Sequence, residues 1–427
     1  MKPKIIFILP NIYECINGVS TKYIKFIDYL LNKDYFITLI LPFINNELYD
    51  NFKKHNNLHI IKANGITIPF YKEIKIPIIQ KITIEKELEN KNEIIIFNGE
   101  FIWLYTILKK LKKKYENLKI YPNMHTDYIY YAEKYYNYLF LSNIIKNLDI
   151  ASLFNHTNIY LEEKIFSGII ITGEKLKQKY INFTENIFNA NEVDLSIFSS
   201  YKIDVYSNNE LFNILFCGRI SKEKNIDEII ECCNLLYEEK IVYFNLHIIG
   251  DGPYLNNLKK LIETKYSFLE NCIIYHGALK HNDIYNLYHK LNNRIFLFTS
   301  LSETFGKTPF EACSTGIPIF IKKCDLTEYL YIDKKNALLF NDPIHFIEIF
   351  KYFLKMTIAH KNNLIYNGIN HVKKYDQHKI FNQWIYFLIN TKTNNHYNKK
   401  KNINFFEIFT FHSISKMINC SGTILGD

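Results

Sequence analysis

Residues Phe298–Ile319 read FTSLSETFGKTPFEACSTGIPI, and the order of signals in them decides the fold. An apolar strand ends in Thr299-Ser300. A loop follows with Glu303 and then Phe305-Gly306-Lys307. A helix is expected to start near Thr308-Pro309, where proline costs little because a first-turn N–H has no partner anyway. Glu311 is expected in that first turn. Gly316 and Pro318 then end the helix before the next apolar run, Ile317–Ile321. Strand, loop, helix and strand in this order make a parallel β-α-β unit, whose ligands bind at the C-terminal strand ends. The helix N-terminus offers free N–H groups and a positive dipole end. Gly306 lets the backbone approach closely, and Glu303 and Glu311 can accept hydrogen bonds from sugar or ribose hydroxyls. A single glutamate would read as a carboxylate stabilising a helix dipole, but the combination reads as a binding segment.

The same alternation runs outward in both directions. Short apolar runs at Lys4–Leu9, Tyr35–Leu41, Glu93–Phe97, Asn213–Cys217, Phe244–Ile249, Cys272–Tyr275 and Arg294–Thr299 are separated by helix-period segments. Unbroken apolarity indicates strands buried on both faces, hence parallel sheets. Alternation with helices indicates an α/β protein of doubly wound domains. The chain has 427 residues, more than one core usually serves, so two domains are expected. The polar break Asn189–Asp204 divides them into residues 1–190 and 191–375. A helix over Asp376–Ile389 should place Phe381, Trp384, Ile385 and Leu388 on one face, and the segment 376–390 should pack back on the first domain. Residues 391–427 begin TKTNNHYNKKKN and read as a basic, partly disordered tail.

Composition narrows the chemistry. There are 50 lysines but only two arginines, Arg219 and Arg294, and only 14 glycines. Where Lys is tolerated almost everywhere and Gly is avoided, a retained Arg or Gly cluster points to a requirement. The net charge of +9 suits anionic partners without choosing one. No zinc-finger spacing or aromatic nucleic-acid motif occurs, so no nucleic-acid partner is expected. The eight cysteines form no CxxC pair, and reduced thiols with no metal site are expected. No apolar run reaches the length of a membrane helix, and MKPKIIFILP reads as a first buried strand rather than a signal peptide. A cytoplasmic protein follows, with peripheral membrane contact as an option. The segment Phe101–Leu118 carries five lysines between 109 and 114. It reads first as a sheet-covering helix with a solvated face, and second as a surface for anionic lipid.

Three further strand ends carry glycines. In LFCGRISKEK, Leu215–Lys224, Arg219 follows a glycine at a strand end, and Arg219 with Lys224 can neutralise a diphosphate. Arg294 lacks that setting and reads as structural. IIGDGP, Ile248–Pro253, fits a tight turn facing the cleft as well as it fits a contact. YHGAL, Tyr275–Leu279, can offer backbone groups of Gly277, Ala278 and Leu279 to a nucleobase, with His276 an ordinary turn residue.

Together these segments resemble glycosyltransferase family 4, a retaining GT-B family. SETFGKTPFEACSTGIP matches its E-x7-E signature with Glu303 and Glu311, and LFCGRISKEKN, IIGDGP and YHGAL follow the family's order and spacing. The resemblance covers roughly Lys4 to Ile389 in organisation and is dense from Asn213 to Phe340. It implies a GT-B fold, two Rossmann-like parallel-sheet domains facing a central cleft. It implies Arg219 and Lys224 on the donor diphosphate, Glu311 on the nucleotide ribose, Glu303 at the donor sugar hydroxyls, and the backbone of Phe305, Gly306 and Lys307 holding the sugar. In the first half, PNIYECINGVST (Pro10–Thr21) resembles the family's first glycine loop, with Asn17 replacing one glycine and Gly18 left to approach the phosphates. MHTDY (Met124–Tyr128) resembles HT-x-[FY] and implies His125 at the donor sugar. NEVDLSIF (Asn191–Phe198) resembles the interdomain NGVDxxxF, with Glu192 in place of glycine.

The resemblance implies a nucleoside-diphosphate sugar, UDP- or GDP-linked, as co-substrate, with no cofactor required. No D-x-D motif occurs, and Arg219, Lys224 and a helix N-terminus can meet the leaving diphosphate. The expected catalytic set is His125, Glu303, Arg219 and Lys224. The tyrosine-rich YIYYAEKYYNYL after HTDY resembles lipid-acceptor members, which tilts the acceptor toward a lipid or cell-surface glycan. A catalytically inactive sugar-nucleotide-binding module and a GT-B phosphorylase are the alternatives.

Overall fold

The computed structural model describes residues 2–12, 18–42, 44, 50, 52, 54–68, 71–88, 93–99, 103–125, 157–198, 200–206, 210–301, 303 and 305–392. The tail from 393, the tyrosine-rich run 128–139, Asn17, Thr126, Ser302 and Thr304 lie outside them.

Two parallel sheets organise the chain. The first contains β1 (Ile5–Ile8), β2 (Ile37–Leu41), β3 (Leu58–Lys62), β6 (Ile94–Asn98), β7 (Lys119–Met124), β8 (Ile169–Ile171) and β9 (Ile187–Asn189), while β4 (Asn64–Ile68) and β5 (Tyr71–Ile78) form a separate antiparallel hairpin. Its order is β3-β2-β1-β6-β7-β8-β9, all parallel. The second contains β10 (Phe212–Cys217), β11 (Phe244–Ile249), β12 (Ile273–Gly277), β13 (Arg294–Phe298), β14 (Ile319–Lys322) and β15 (Leu338–Phe340). Its order is β12-β11-β10-β13-β14-β15, again all parallel. Strands such as IIFI and ITLIL are buried along their whole length, as branched side chains between two helical layers require.

The winding reverses at β1 in one sheet and β10 in the other. The crevices between the loops after β1 and β6, and after β10 and β13, are therefore where a doubly wound sheet receives its ligand.

Helices close both faces of the first sheet. On one face the Gly18–Leu31 helix and the Gln377–Asn390 helix share a core of Phe7, Tyr23, Phe26, Phe381, Trp384 and Leu388. Trp384 stacks on Phe26 with ring centroids 4.0 Å apart. On the other face the Trp103–Lys114 helix buries Leu104, Tyr105, Leu108 and Leu111. Its lysines do not form one solvated stripe, which corrects the sequence expectation. Lys112 is buried and donates to the Leu118 carbonyl at 2.7 Å. Lys109 pairs with Glu163 at 2.6 Å, and Lys114 with Glu85 at 2.5 Å. Among the described residues, no helix is long and apolar enough to cross a membrane.

Candidate active site

The second sheet assembles one face of the site from two neighbouring loops. After β10, Gly218 (φ +156°) leads to Arg219, and a short 3-10 turn, Lys222–Lys224, ends at Asn225 in the left-handed region. After β13, Thr299 and Ser300 lead to Glu303. The loops are tied at several points. Thr299 Oγ1 donates to the carbonyls of Lys224 and Asn225 at 3.1 and 2.9 Å, and the Leu301 N–H to the Glu223 carbonyl at 3.0 Å. Lys224 Nζ donates to Glu303 Oε1, which also accepts from Ser300 Oγ at 3.1 Å. This joins a residue expected at the diphosphate to one expected at the sugar. Arg219 is exposed beside them, and its guanidinium pairs with no acid among the described residues.

IIGDGP supports this loop from behind. A Cβ on Gly250 would lie 1.9 Å from the Gly218 carbonyl oxygen, and one on Gly252 2.3 Å from that of Ile220. The Ile220 N–H donates to the Asp251 carbonyl at 2.9 Å. These glycines serve the packing of one loop on the other, which holds Arg219 in place.

The third component is the Lys307–Ser314 helix. Gly306 caps it at φ +71°, a conformation that favours glycine. The helix begins at Lys307, earlier than the sequence pattern suggests, so Pro309 is its third residue. Glu311 is its fifth and lies past the first turn, which has no acidic residue. This corrects the placement expected for Glu311, and a role on the helix dipole weakens accordingly. Among the described residues the N–H groups of Phe305, Gly306 and Lys307 have no partner. The Phe305 ring is committed to the core, stacked on Phe310 at 4.6 Å, so its backbone is the part left for a ligand contact.

Glu311 is buried, with His281 Nε2 3.7 Å from its Oε1. Burial pushes its carboxyl up, and His281, Lys307 and Lys25 pull it back. His281 was not anticipated from sequence. It opens the helix that follows the YHGAL turn, so it lies between Glu311 and the turn assigned to the base. In that turn Gly277 adopts φ +68°. Its carbonyl accepts from the Gly250 N–H at 2.7 Å, and Gly277 and Ala278 are exposed while Leu279 is half-buried. His276 points back to the sheet, with its Nε2 2.9 Å from His247 Nδ1.

The first domain supplies Gly18 and His125. Gly18 starts the Gly18–Leu31 helix, and a Cβ added there would meet nothing within 4 Å among the described residues. His125 follows β7 and is buried, with Nε2 3.0 Å from the Tyr23 hydroxyl. Burial and the nearby Lys22 hold its imidazole well below the usual range, so it is neutral at physiological pH. Its Nδ1 is buried without a partner among the described residues.

Two residues at the domain junction make contacts that the sequence does not mark. Glu192, the departure from the glycine pattern, is fully buried and accepts from Lys307 Nζ and, at 2.8 Å, from Gln377 Nε2. Lys22 is buried and donates to Thr172 Oγ1 at 2.8 Å. Nothing in the sequence separates it from 49 other lysines, except that it lies one helical turn after Gly18.

Residues 199–371 match the family described as Glycosyl transferases group 1. The alpha-monoglucosyldiacylglycerol synthase of Streptococcus pneumoniae is 32% identical over 128 residues, covering 30% of this chain and 28% of that protein. The capsular polysaccharide biosynthesis glycosyltransferase CapM of Staphylococcus aureus is 27% identical over 196 residues, 40% of this chain and 48% of its own length. The chain thus spans less than half of these curated relatives. Among solved structures, Anabaena HepE in complex with UDP superposes with a TM-score of 0.63 at 14% identity, over 90% of this chain and 99% of that one. HepE has also been solved with UDP-glucose. The fold is GT-B, and the second sheet with the helices around it is the part of the chain that matches the glycosyl transferases group 1 family.

Proposed function

We propose that the protein is a retaining glycosyltransferase that moves a sugar from a nucleoside-diphosphate sugar to an acceptor hydroxyl. The observation that carries this is the junction of the β10 and β13 loops, where Lys224 meets Glu303 directly before the open N-terminus of the Lys307–Ser314 helix. In this reading Arg219 and Lys224 take the diphosphate, and Glu303 orients the sugar hydroxyls. The N–H groups of Phe305, Gly306 and Lys307 cradle the sugar. Glu311, with His281 beside it, accepts from the ribose. The turn Gly277–Leu279 holds the base, and Gly18 and neutral His125 approach from the other domain. Charge developing on the leaving diphosphate meets fixed cations and a helix N-terminus, where preorganised groups act most strongly. The leaving phosphate then accepts the acceptor's proton on the same face, and no cofactor is called for. Residues 1–190 form the acceptor half, 191–375 the donor half, 376–390 a returning helix and 391–427 a tail.

HepE is solved with UDP and UDP-glucose, which favours a UDP-sugar. The two bacterial relatives are named for a glucosyldiacylglycerol and a capsular polysaccharide, which favours a lipid or cell-surface glycan acceptor reached from the cytoplasmic face through peripheral membrane contact. The test is a thermal-shift screen with UDP-, GDP- and ADP-sugars, since a ligand held by the native state alone raises its melting temperature. One class should shift it, and released nucleotide should depend on Glu303, with Glu303→Ala abolishing turnover. A protein that binds donor but never turns it over is the inactive module. Activity that needs inorganic phosphate marks a phosphorylase.

A further inference from the structure

Three lysines converge where the two domains meet, and two of them have acids. Lys25 pairs with Asp194 at 2.5 Å, and Lys307 with Glu192. Lys22 has none. It is 3% exposed, and among the described residues its ammonium is bonded to the Thr172 hydroxyl alone. An ammonium carries three donors, and a buried charge without a counter-ion is costly. Polar groups beside it are also unfilled. The Thr172 N–H bonds the Met124 carbonyl at 3.1 Å, next to His125 and Asn123. Among the described residues, His125 Nδ1 and both amide atoms of Asn123 are buried without partners. Gly18 lies one turn before Lys22, and Lys307, the first residue of the E-x7-E helix, is near enough to oppose its charge. Lys22 therefore lies on the helix that Gly18 opens, within electrostatic reach of the first residue of the second domain's Lys307–Ser314 helix.

We propose that Lys22 is an anion-binding residue of the cleft, meeting the donor diphosphate from the first domain while Arg219 and Lys224 hold it from the second, so that donor binding is coupled to proton uptake. The inference rests on the nucleotide-sugar reading above. The charged and titratable groups around Lys22 are few. Lys25 and Tyr23 lie on its own helix, His125 follows β7, Glu192 is in the hinge, and Lys307 and Glu311 are on the donor helix. Burial, then Lys307, bring the Lys22 pKa down to about 7, with Glu192 acting the other way. The free amine is then mostly neutral at pH 8, and an arriving diphosphate favours its charged form.

The experiment is calorimetric titration of the full chain with UDP-glucose, GDP-mannose and ADP-glucose, in two buffers of different ionisation enthalpy. These diphosphodiesters do not titrate near pH 8, and His125 is neutral there, so protons taken up report Lys22. About 0.9 proton per donor is expected at pH 8, falling to about 0.1 at pH 6. Lys22→Met should lose the uptake and weaken donor binding about 10-fold or more. Lys22→Arg should bind donor without uptake, because a guanidinium stays charged. Donor binding by the wild type without uptake at pH 8, or uptake persisting in Lys22→Met, overturns the inference and leaves the donor reading standing. No binding of any donor overturns both. Should Lys22→Met fail to fold, the wild-type difference between pH 8 and pH 6 decides alone.

Discussion

Arg294 and Arg219 are the only arginines, and their surroundings are opposite. Arg294 is fully buried at the start of β13. Its Nε donates to Asp204 Oδ2 at 2.8 Å, and its other nitrogens reach the Tyr288 and Lys202 carbonyls at 2.7 and 2.6 Å. It ties the segment entering the second sheet to that sheet. Arg219 is exposed with no acid beside it among the described residues. Asp204→Ala should cost about 3–5 kcal/mol in denaturant unfolding, because a buried guanidinium is left unpaired. Arg219→Ala should leave stability within about 0.5 kcal/mol and lower turnover about 10²–10³-fold, as loss of a transition-state donor does. Reversal of the two results would exchange the assigned roles. Rarity alone could not sort them. Position could, since one arginine follows a glycine at a strand's C-terminal end and the other opens a strand. Lys22 and His281 had no such marker, because their importance lies in neighbours distant in sequence.

At the scale of elements, the Gln377–Asn390 helix was legible because its periodicity is strong. Phe381, Trp384, Ile385 and Leu388 recur at helical spacing and all are buried against the first sheet. Other elements lacked that signal. β8 and β9 are three residues each, shorter than any pattern can mark. β7 contains Pro122 and Asn123, which argue against an inner strand. The fold tolerates Pro122 because β8 pairs only with Asn123 and Met124, beyond the proline. The start of the Lys307–Ser314 helix is hidden from the sequence for a different reason. Gly306 in the left-handed region caps it, so it begins at Lys307 and carries Glu311 into the second turn. The returning helix gives a direct test. Trp384 is fully buried and stacked on Phe26, so Trp384→Ala should cost about 3–5 kcal/mol, read as a lower denaturant midpoint by far-UV circular dichroism. A loss below about 1 kcal/mol would mean that the helix lies on the first sheet without belonging to its core.

The relation of the two halves is set at one crossing. The chain passes between the sheets at Asn191–Asp194 and returns at Tyr375–Gln377, and the passages are bonded to each other. The Val193 N–H donates to the Tyr375 carbonyl at 2.8 Å and the Gln377 N–H to the Val193 carbonyl at 2.9 Å. Glu192 stands there in place of the glycine expected from the family pattern, and it keeps a negative φ, so losing the glycine does not strain the hinge. Its carboxylate instead links three segments: the hinge, Lys307 of the donor helix and Gln377 of the returning helix. The Lys307 side chain is thereby engaged with the hinge while its N–H has no partner among the described residues, which suits the backbone role proposed for this residue. The two groups should be energetically interdependent. Glu192→Gly leaves the Lys307 ammonium without its acid, and Lys307→Leu leaves a fully buried carboxylate with Gln377 as its hydrogen-bond partner. Removing both leaves neither charge uncompensated. A double-mutant cycle on unfolding free energy should therefore give a coupling of about 1–3 kcal/mol, with the double variant more stable than the sum of the singles predicts. Singles that add within about 0.5 kcal/mol would show that the contact is incidental and that the bonds through Val193 alone fix how the domains meet.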